Sequence, residues 1–342
     1  MLIGTKRLKK SLKMLIFSVA VFLCHISAHA QNVWVKEHEP ARERITKERL
    51  EWEIGFLTDT LCQGRATGTR GNTEAAFWIH RQFTNAGLLK FGESYAKRVY
   101  IRPGLVGHNI MGMIPGSSKR HKDSYIIIGA HYDHLGILDG KMYPGADSNA
   151  SGIVALTSLA DMFSTMKKDG RTYESNLIFV AFDAREHSLA GSEALWKMIE
   201  NGMLKDPING KTIRKEDIGF MVNIDQIGTT LVPVREMRRD YIIMLGNESL
   251  QPIKQEMINI TNRFYSLNMD ISLDYYGSEN FTKVFYRLSD QRAFVDNKVP
   301  AVFFTSGITM NTNKTYDSPS SIDFPVLRKR IYLIYHWIDR MI

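Results

Sequence analysis

The chain has 342 residues, 44% of them apolar, with 44 Lys and Arg against 36 Asp and Glu and a formal charge of +8. That apolar content can bury a sizeable core, which excludes a disordered or fibrous chain. The excess charge is local: five basic groups (Lys6, Arg7, Lys9, Lys10, Lys13) and no acid lie in the first thirty residues, leaving 39 basic against 36 acidic residues, about +3, too little to imply a nucleic-acid partner.

Those first residues form a positive head, an apolar run from Met14 to Cys24, and the small-x-small sequence Ala28-His29-Ala30. This is the layout of a secretory signal peptide over residues 1–30. The run is shorter than the roughly 20 residues that span a bilayer. Export to the periplasm or the extracellular space is expected, with no stable membrane span after cleavage. Cys62 is the single cysteine left in 31–342, so no intrachain disulfide forms and a single domain must hold by its core.

Residues 31–45 are polar and expected to be irregular. Leu50, Ile54 and Leu57 have helical spacing between Thr46 and about Leu61. GRATGTRGN (64–72) reads as a glycine-rich loop, followed by a helix from about Thr73 to Asn85 capped by Asn72 or Thr73. SYAKRVYI (94–101), HNIMGMIPG (108–116) and DSYIIIGAH (123–131) read as strands, and 152–166 as an apolar helix. SNLIFVAFD (175–183) is a further buried strand, 191–202 a helix, and 218–225, 241–246 and 299–307 are strands. A helix from Ile322 to Met341 closes the chain. The stretch 229–297 is less regular and is expected to hold a lid or insertion. Continuous apolar strands alternating with helices predict an α/β three-layer sandwich, a mostly parallel central sheet with helices on both faces.

In open α/β sheets ligands bind beyond the carboxyl ends of the strands. His131, Asp133 and His134 stand at the end of one strand, Asp183, Arg185, Glu186 and His187 at the next, and Asp225 at a third. PGADSNASG (144–152) adds Asp147, Ser148 and Asn149, and Asp317 follows the last strand. His131 and Asp133 form an H-x-D pair of the kind in which a carboxylate holds a metal-bound imidazole; a surface ion pair has the same spelling. Glu186 reads as a metal ligand, a partner for Arg185 or a solvated charge. H-E-x-x-H, C-x-x-C, G-x-S-x-G and G-x-G-x-x-G are all absent, against the corresponding peptidase, redox, hydrolase and dinucleotide readings.

GAHYDHLG, GADSNASG, FVAFDAREHSLAGS, NIDQIG, SDQRAF and YDSPSSID, in that order, resemble the two-zinc aminopeptidase family, which includes bacterial leucyl aminopeptidases, glutamate carboxypeptidase and glutaminyl cyclases. The resemblance implies that His131 and Asp225 hold one zinc ion, that Glu186 helps hold another, and that Asp133 orients His131. Three positions depart. Ser148 stands at the place of the bridging aspartate, Arg185 at that of the glutamate base, and Asp317 at that of the last histidine ligand, where it still offers oxygen to a metal. A neutral hydroxyl is a weak ligand for borderline cations, and a guanidinium cannot act as a base at ordinary pH. Zero or one zinc ion is therefore expected rather than two, with Arg185 either paired to Asp317 or Glu186, or on the rim beside a single ion at His131 and Asp225.

The implied function is an exported metallo-exopeptidase family member, aminopeptidase-like if active, with its two-zinc mechanism impaired. His134, Asp183 and His187 lie near enough in sequence to be weighed as replacement bases. The alternative is a non-catalytic pseudo-peptidase that binds a peptide or small amino-acid derivative. A glutaminyl cyclase is a weaker reading, because the bridge-position aspartate and the final histidine are both missing.

Overall fold

The computed structural model describes residues 40–117 and 124–342, so the leader expected over residues 1–30 lies outside the described residues. Pro40–Glu43 is one helical turn in a unit separate from Arg44–Ile342.

Helix α1 (Lys47–Thr58) is capped by Thr46, whose hydroxyl accepts from the Arg49 N–H at 3.2 Å, and it buries Leu50, Ile54 and Leu57. Helix α2 (Arg70–Ala86) begins three residues before the Thr73 start that the spacing predicts. Thr69 is the cap, accepting from the Asn72 N–H at 3.2 Å. Glycine is required in that first turn at Gly71, where a Cβ would come 2.0 Å from the Cys62 carbonyl oxygen. The glycine-rich loop is correspondingly shorter than it reads.

Eleven strands follow among the described residues: β1 (Leu89–Lys90), β2 (Ala96–Arg102), β3 (Leu105–Ile114), β4 (Tyr125–His131), β5 (Gly136–Leu138), β6 (Lys141–Tyr143), β7 (Asn176–Phe182), β8 (Ile218–Ile224), β9 (Tyr241–Leu245), β10 (Asp270–Ser272) and β11 (Ala301–Thr305). Between them run α3 (Gly152–Lys168), α4 (Ala190–Glu200), α5 (Met257–Phe264) and α6 (Glu279–Phe285), and α7 (Phe324–Met341) closes the chain. The main sheet has the order β1-β3-β7-β4-β8-β11-β9-β10, with β2 also on β3; β5 and β6 form a separate hairpin. Pairing is parallel through the centre, β7-β4-β8-β11, and between β9 and β10. It is antiparallel where β3 meets β1, β2 and β7, and between β9 and β11. Two residues, Pro103 and Gly104, join β2 to β3, which permits a hairpin but no crossover.

The sheet is covered on both faces, as its all-buried central strands require. Every residue of β4 and β7 is buried. Successive side chains of β7 point to opposite faces. Ile178 and Val180 join Ile127 and Met221 in a cluster with Leu195 and Trp196 of α4. Phe179 points the other way, with ring centroids 6.5 Å from Phe83 of α2 and 6.4 Å from Phe163 of α3, which in turn meets Tyr335 of α7 at 4.7 Å. The stretch 229–297 supplies β9, β10, α5 and α6, and Phe285 of α6 packs with Ile243, Leu245 and Phe303. Among the described residues no helix is long and apolar enough to cross a membrane. The functional consequence of this layout is a shared edge: β4, β7 and β8 run parallel and end at His131, Phe182 and Ile224.

The cap assignment can be tested. Thr69→Ala is expected to lower the unfolding free energy by about 1 kcal/mol. Thr73→Ala, exposed and bonded only back to the Thr69 carbonyl, is expected to change it by less than about 0.5 kcal/mol. Urea titration of both variants checks this; a larger loss at Thr73 would move the cap.

Candidate functional site

His131 ends β4, and its imidazole is fully buried. Nε2 lies 3.3 Å from Oδ1 of Asp225, the residue after β8. Nδ1 lies 3.1 Å from the backbone carbonyl of Asp133 and 3.8 Å from its carboxylate. That carboxylate faces the neighbouring loop instead: its oxygens accept from the backbone N–H groups of Arg185 at 2.9 Å and Glu186 at 3.0 Å. Asp133 thus fixes the loop that carries Arg185 and Glu186, while its carbonyl faces the histidine.

Arg185 reaches into the same space. Its Nη1 donates to Oε1 of Glu186 at 2.8 Å, and Nη2 stands 3.7 Å from Oδ2 of Asp225. Asp225 Oδ2 also accepts from the Ser289 hydroxyl at 2.7 Å. Next to Ser289, Asp290 is fully buried and neither of its carboxylate oxygens has a hydrogen-bond partner.

Asp317 is turned toward the 146–148 loop. Its Oδ1 accepts from the Asp147 N–H at 2.9 Å and its Oδ2 from the Ser148 N–H at 3.1 Å. Asp147 is turned away in its own right, its Oδ1 accepting from the Gly228 N–H at 2.6 Å. Asn149 ties the loop to the sheet by donating to the Ile224 carbonyl at 2.9 Å and accepting from the Gln226 N–H at 2.8 Å. Behind them the fully buried Arg65 donates to the carbonyls of Leu57, Tyr132, Pro144 and Gly145 at 2.6–2.9 Å.

The residues considered as replacement bases are placed differently. Asp183 accepts from the Thr67 and Tyr132 hydroxyls, the Asn72 amide and the backbone N–H groups of Ala184 and His108, all within 3.0 Å. Its oxygens are saturated by this framework. His134 is buried without a hydrogen-bond partner at either ring nitrogen, and burial, reinforced by Arg65, holds its pKa well below the usual value. His187 is half-buried in the turn after Glu186.

The charges at the centre support one another. Burial opposes ionisation of Asp225, but His131, Arg185 and the Ser289 hydroxyl outweigh it and hold the carboxylate well below its ordinary range. Burial likewise opposes the His131 imidazolium, and Asp225 reverses it, raising the pKa. Arg185 is raised as well, burial being outweighed by Asp225 and Glu186. Asp133 is pushed up to about 7 by burial and by Asp183.

Residues 109–337 match the profile of Peptidase family M28. The chain belongs to Peptidase family M28. It is 23% identical to the uncharacterized protein YfbL of Escherichia coli over 296 residues, 84% of each chain. Among solved structures it is similar to LapB of Legionella pneumophila, with a TM-score of 0.65 at 17% identity, covering 89% of this chain and 75% of that one. It is also similar to BSAP, a zinc aminopeptidase from Bacillus subtilis, with a TM-score of 0.62 at 11% identity, covering 87% and 95%. The fold is that of the zinc aminopeptidases, as the motifs imply.

The M28 relationship suggests zinc, and the donors present can be tested for it. Two dications a few ångströms apart need a shared anionic ligand, and Ser148 supplies none. Glu186 spends one oxygen on Arg185, Asp317 accepts backbone N–H groups at both oxygens, and Asp225 shares an oxygen between Ser289 and the approach of a guanidinium. Among the described residues no three His, Cys, Asp or Glu side chains are grouped to hold an ion. The donor set does not fit a two-zinc centre, and no reaction step is derived through one.

Ser289 and Asp290 carry no separate prediction at the sequence level. They lie in SDQRAF, one of the motifs of the resemblance, but 64 residues separate Ser289 from the Asp225 it bonds, and only the fold joins them. A buried carboxyl in an M28 cleft has a measurable signature. Burial pushes Asp290 up to about 6, against the pull of His131. Its folded pKa therefore exceeds the unfolded value near 4, so its contribution to stability is present below about pH 4 and lost as pH rises to about 6. In chelator-treated protein, Asp290→Asn is expected to flatten the stability profile between pH 4 and 6, read by denaturant midpoints at each pH. An unchanged slope would mean that Asp290 titrates normally.

Proposed function

We propose that this M28 chain is an exported, hydrolytically impaired member of its family whose cleft retains the ability to bind a peptide or small amino-acid derivative. The observation that carries the reading is the Arg185 guanidinium. It stands where the resemblance puts the general base, cannot take a proton at ordinary pH, and is 2.8 Å from Glu186, the carboxylate expected to face a metal. A positioned base contributes on the order of a hundred- to ten-thousandfold in rate, so its replacement alone is a severe loss. Ser148 and the orientation of Asp317 add to it. Export rests on the positive head and apolar run of the first thirty residues.

A pocket beside Arg185 supports binding. Its walls include Phe285, Leu288, Phe303 and Ile308, and its volume is about 80 Å³. A water needs roughly 10–15 Å³ by the same measure, so the space suits a group the size of one side chain. The proximity of His131 Nε2 to Asp225 Oδ1 favours a second reading, in which one zinc ion is retained and peptide amino termini are trimmed slowly.

Metal content per chain and aminoacyl-anilide hydrolysis with added zinc separate these readings. Fewer than two ions are expected, with turnover about a hundredfold or more below that of a relative with an intact base. Two tightly held ions and brisk turnover would refute the proposal. Introducing Ser148→Asp, Arg185→Glu and Asp317→His together is expected to raise zinc uptake; a folded triple variant with unchanged uptake would count against it.

A further inference from the structure

The pocket beside Arg185 has two kinds of wall. Phe285 stacks on Tyr275 with ring centroids 4.0 Å apart and on Phe303 at 5.9 Å, which makes a fixed apolar surface. Leu288 and Ile308, about half exposed, stand at the mouth. The polar end holds charges of both signs, Arg185 and Asp225. Arg185 Nη1 is committed to Glu186, but Nη2 is 3.7 Å from the nearest Asp225 oxygen, too far for a direct hydrogen bond. Its donors remain available to a ligand anion. Asp225 already accepts from Ser289 at Oδ2 and faces His131 Nε2 at Oδ1, yet a carboxylate offers about four lone-pair directions, so it retains capacity for a ligand cation.

A ligand with only a negative charge would meet Asp225, and one with only a positive charge would meet Arg185. A ligand with both charges on one carbon and an apolar branch finds a complement on every side. We infer that the pocket binds a free apolar α-amino acid, its carboxylate on Arg185, its ammonium on Asp225 and its side chain against Phe285 and Phe303. A peptide amino terminus shares the ammonium and the side chain but presents a neutral amide where the carboxylate would stand. The guanidinium, which disables a base, thereby selects against the peptide and for the free amino acid. The inference rests on the impaired-site reading, because metal ions at this edge would compete for the same donors.

Calorimetric titration of the chelator-treated chain tests it, with L-leucine, L-leucinamide, 4-methylpentanoate and glycine as probes. L-Leucine is expected to bind at least tenfold tighter than each of the others, which lack the carboxylate, the amine and the side chain in turn. In Arg185→Gln the preference for leucine over leucinamide is expected to fall to near parity. Leucinamide binding as tightly as leucine to the unmodified chain overturns the inference without recourse to any variant. Binding of leucine only after zinc is restored overturns both the inference and the impaired-site reading. No leucine binding by a chain that holds fewer than two ions overturns the inference alone.

Discussion

Carboxylates at the carboxyl edge of this sheet must be balanced by some cation. Asp225 and Asp290 are buried close enough to act on each other's charge, with Glu186 at the rim. Two like charges about 4 Å apart repel by about 4 kcal/mol at an effective dielectric of 20. In a metal centre, dications absorb that repulsion. In this chain a guanidinium stands among the carboxylates, bonded to Glu186 and close to Asp225, with His131 on the other side of Asp225. The two kinds of cation differ in what they leave behind. A metal ion is mobile, exchangeable and open to a water or substrate. A guanidinium is tethered and permanently charged, and offers only donors. On the proposed reading, charge balance is kept while the capacity to generate a nucleophile is given up.

How far the sequence reaches follows from the range of the forces involved. β4 and β7 were readable because unbroken runs such as Ile126, Ile127 and Ile128 have no place to go but a sheet covered on both faces. The edge on which His131, Arg185 and Asp225 meet was readable from the same strands, since parallel neighbours end together. β1, β5, β6 and β10 have two or three residues each and no periodicity to detect. The cap of α2 turned on which of several nearby polar residues faces the first turn, and Asn72 was already engaged with Asp183 at 3.0 Å. The direction of a carboxylate was least accessible. Asp317 was visible as an oxygen donor, but nothing in its neighbours says that two backbone N–H groups of a loop some 170 residues earlier would hold it. Arg185 was identifiable as standing at the base position of the motif; its pairing with Glu186 was one of the two expected, and its approach to Asp225 was not.

The loops around the cleft are also held by hydrogen bonds among their own residues. Asp183, with five donors, joins the loop after β7 to residues 67, 72, 108 and 132. Arg65, with four carbonyl acceptors, joins the end of α1 to the loops on either side of the β5–β6 hairpin. Both are fully buried, and buried polar groups satisfied this completely are rigid and specific. In a structural zinc site, ligand loops are disordered until the ion arrives, and binding energy is folding energy. Here the loops that bear His131, Ser148 and Arg185 are fixed by Asp183, Arg65, Asn149 and Asp317 from behind. Ligand side chains on such a scaffold can change without loss of the fold. If the resemblance assigns positions 148, 185 and 317 correctly, such a scaffold accounts for how a bridging aspartate, a base and a histidine could all be replaced while the cleft persists, as the proposed binding role requires.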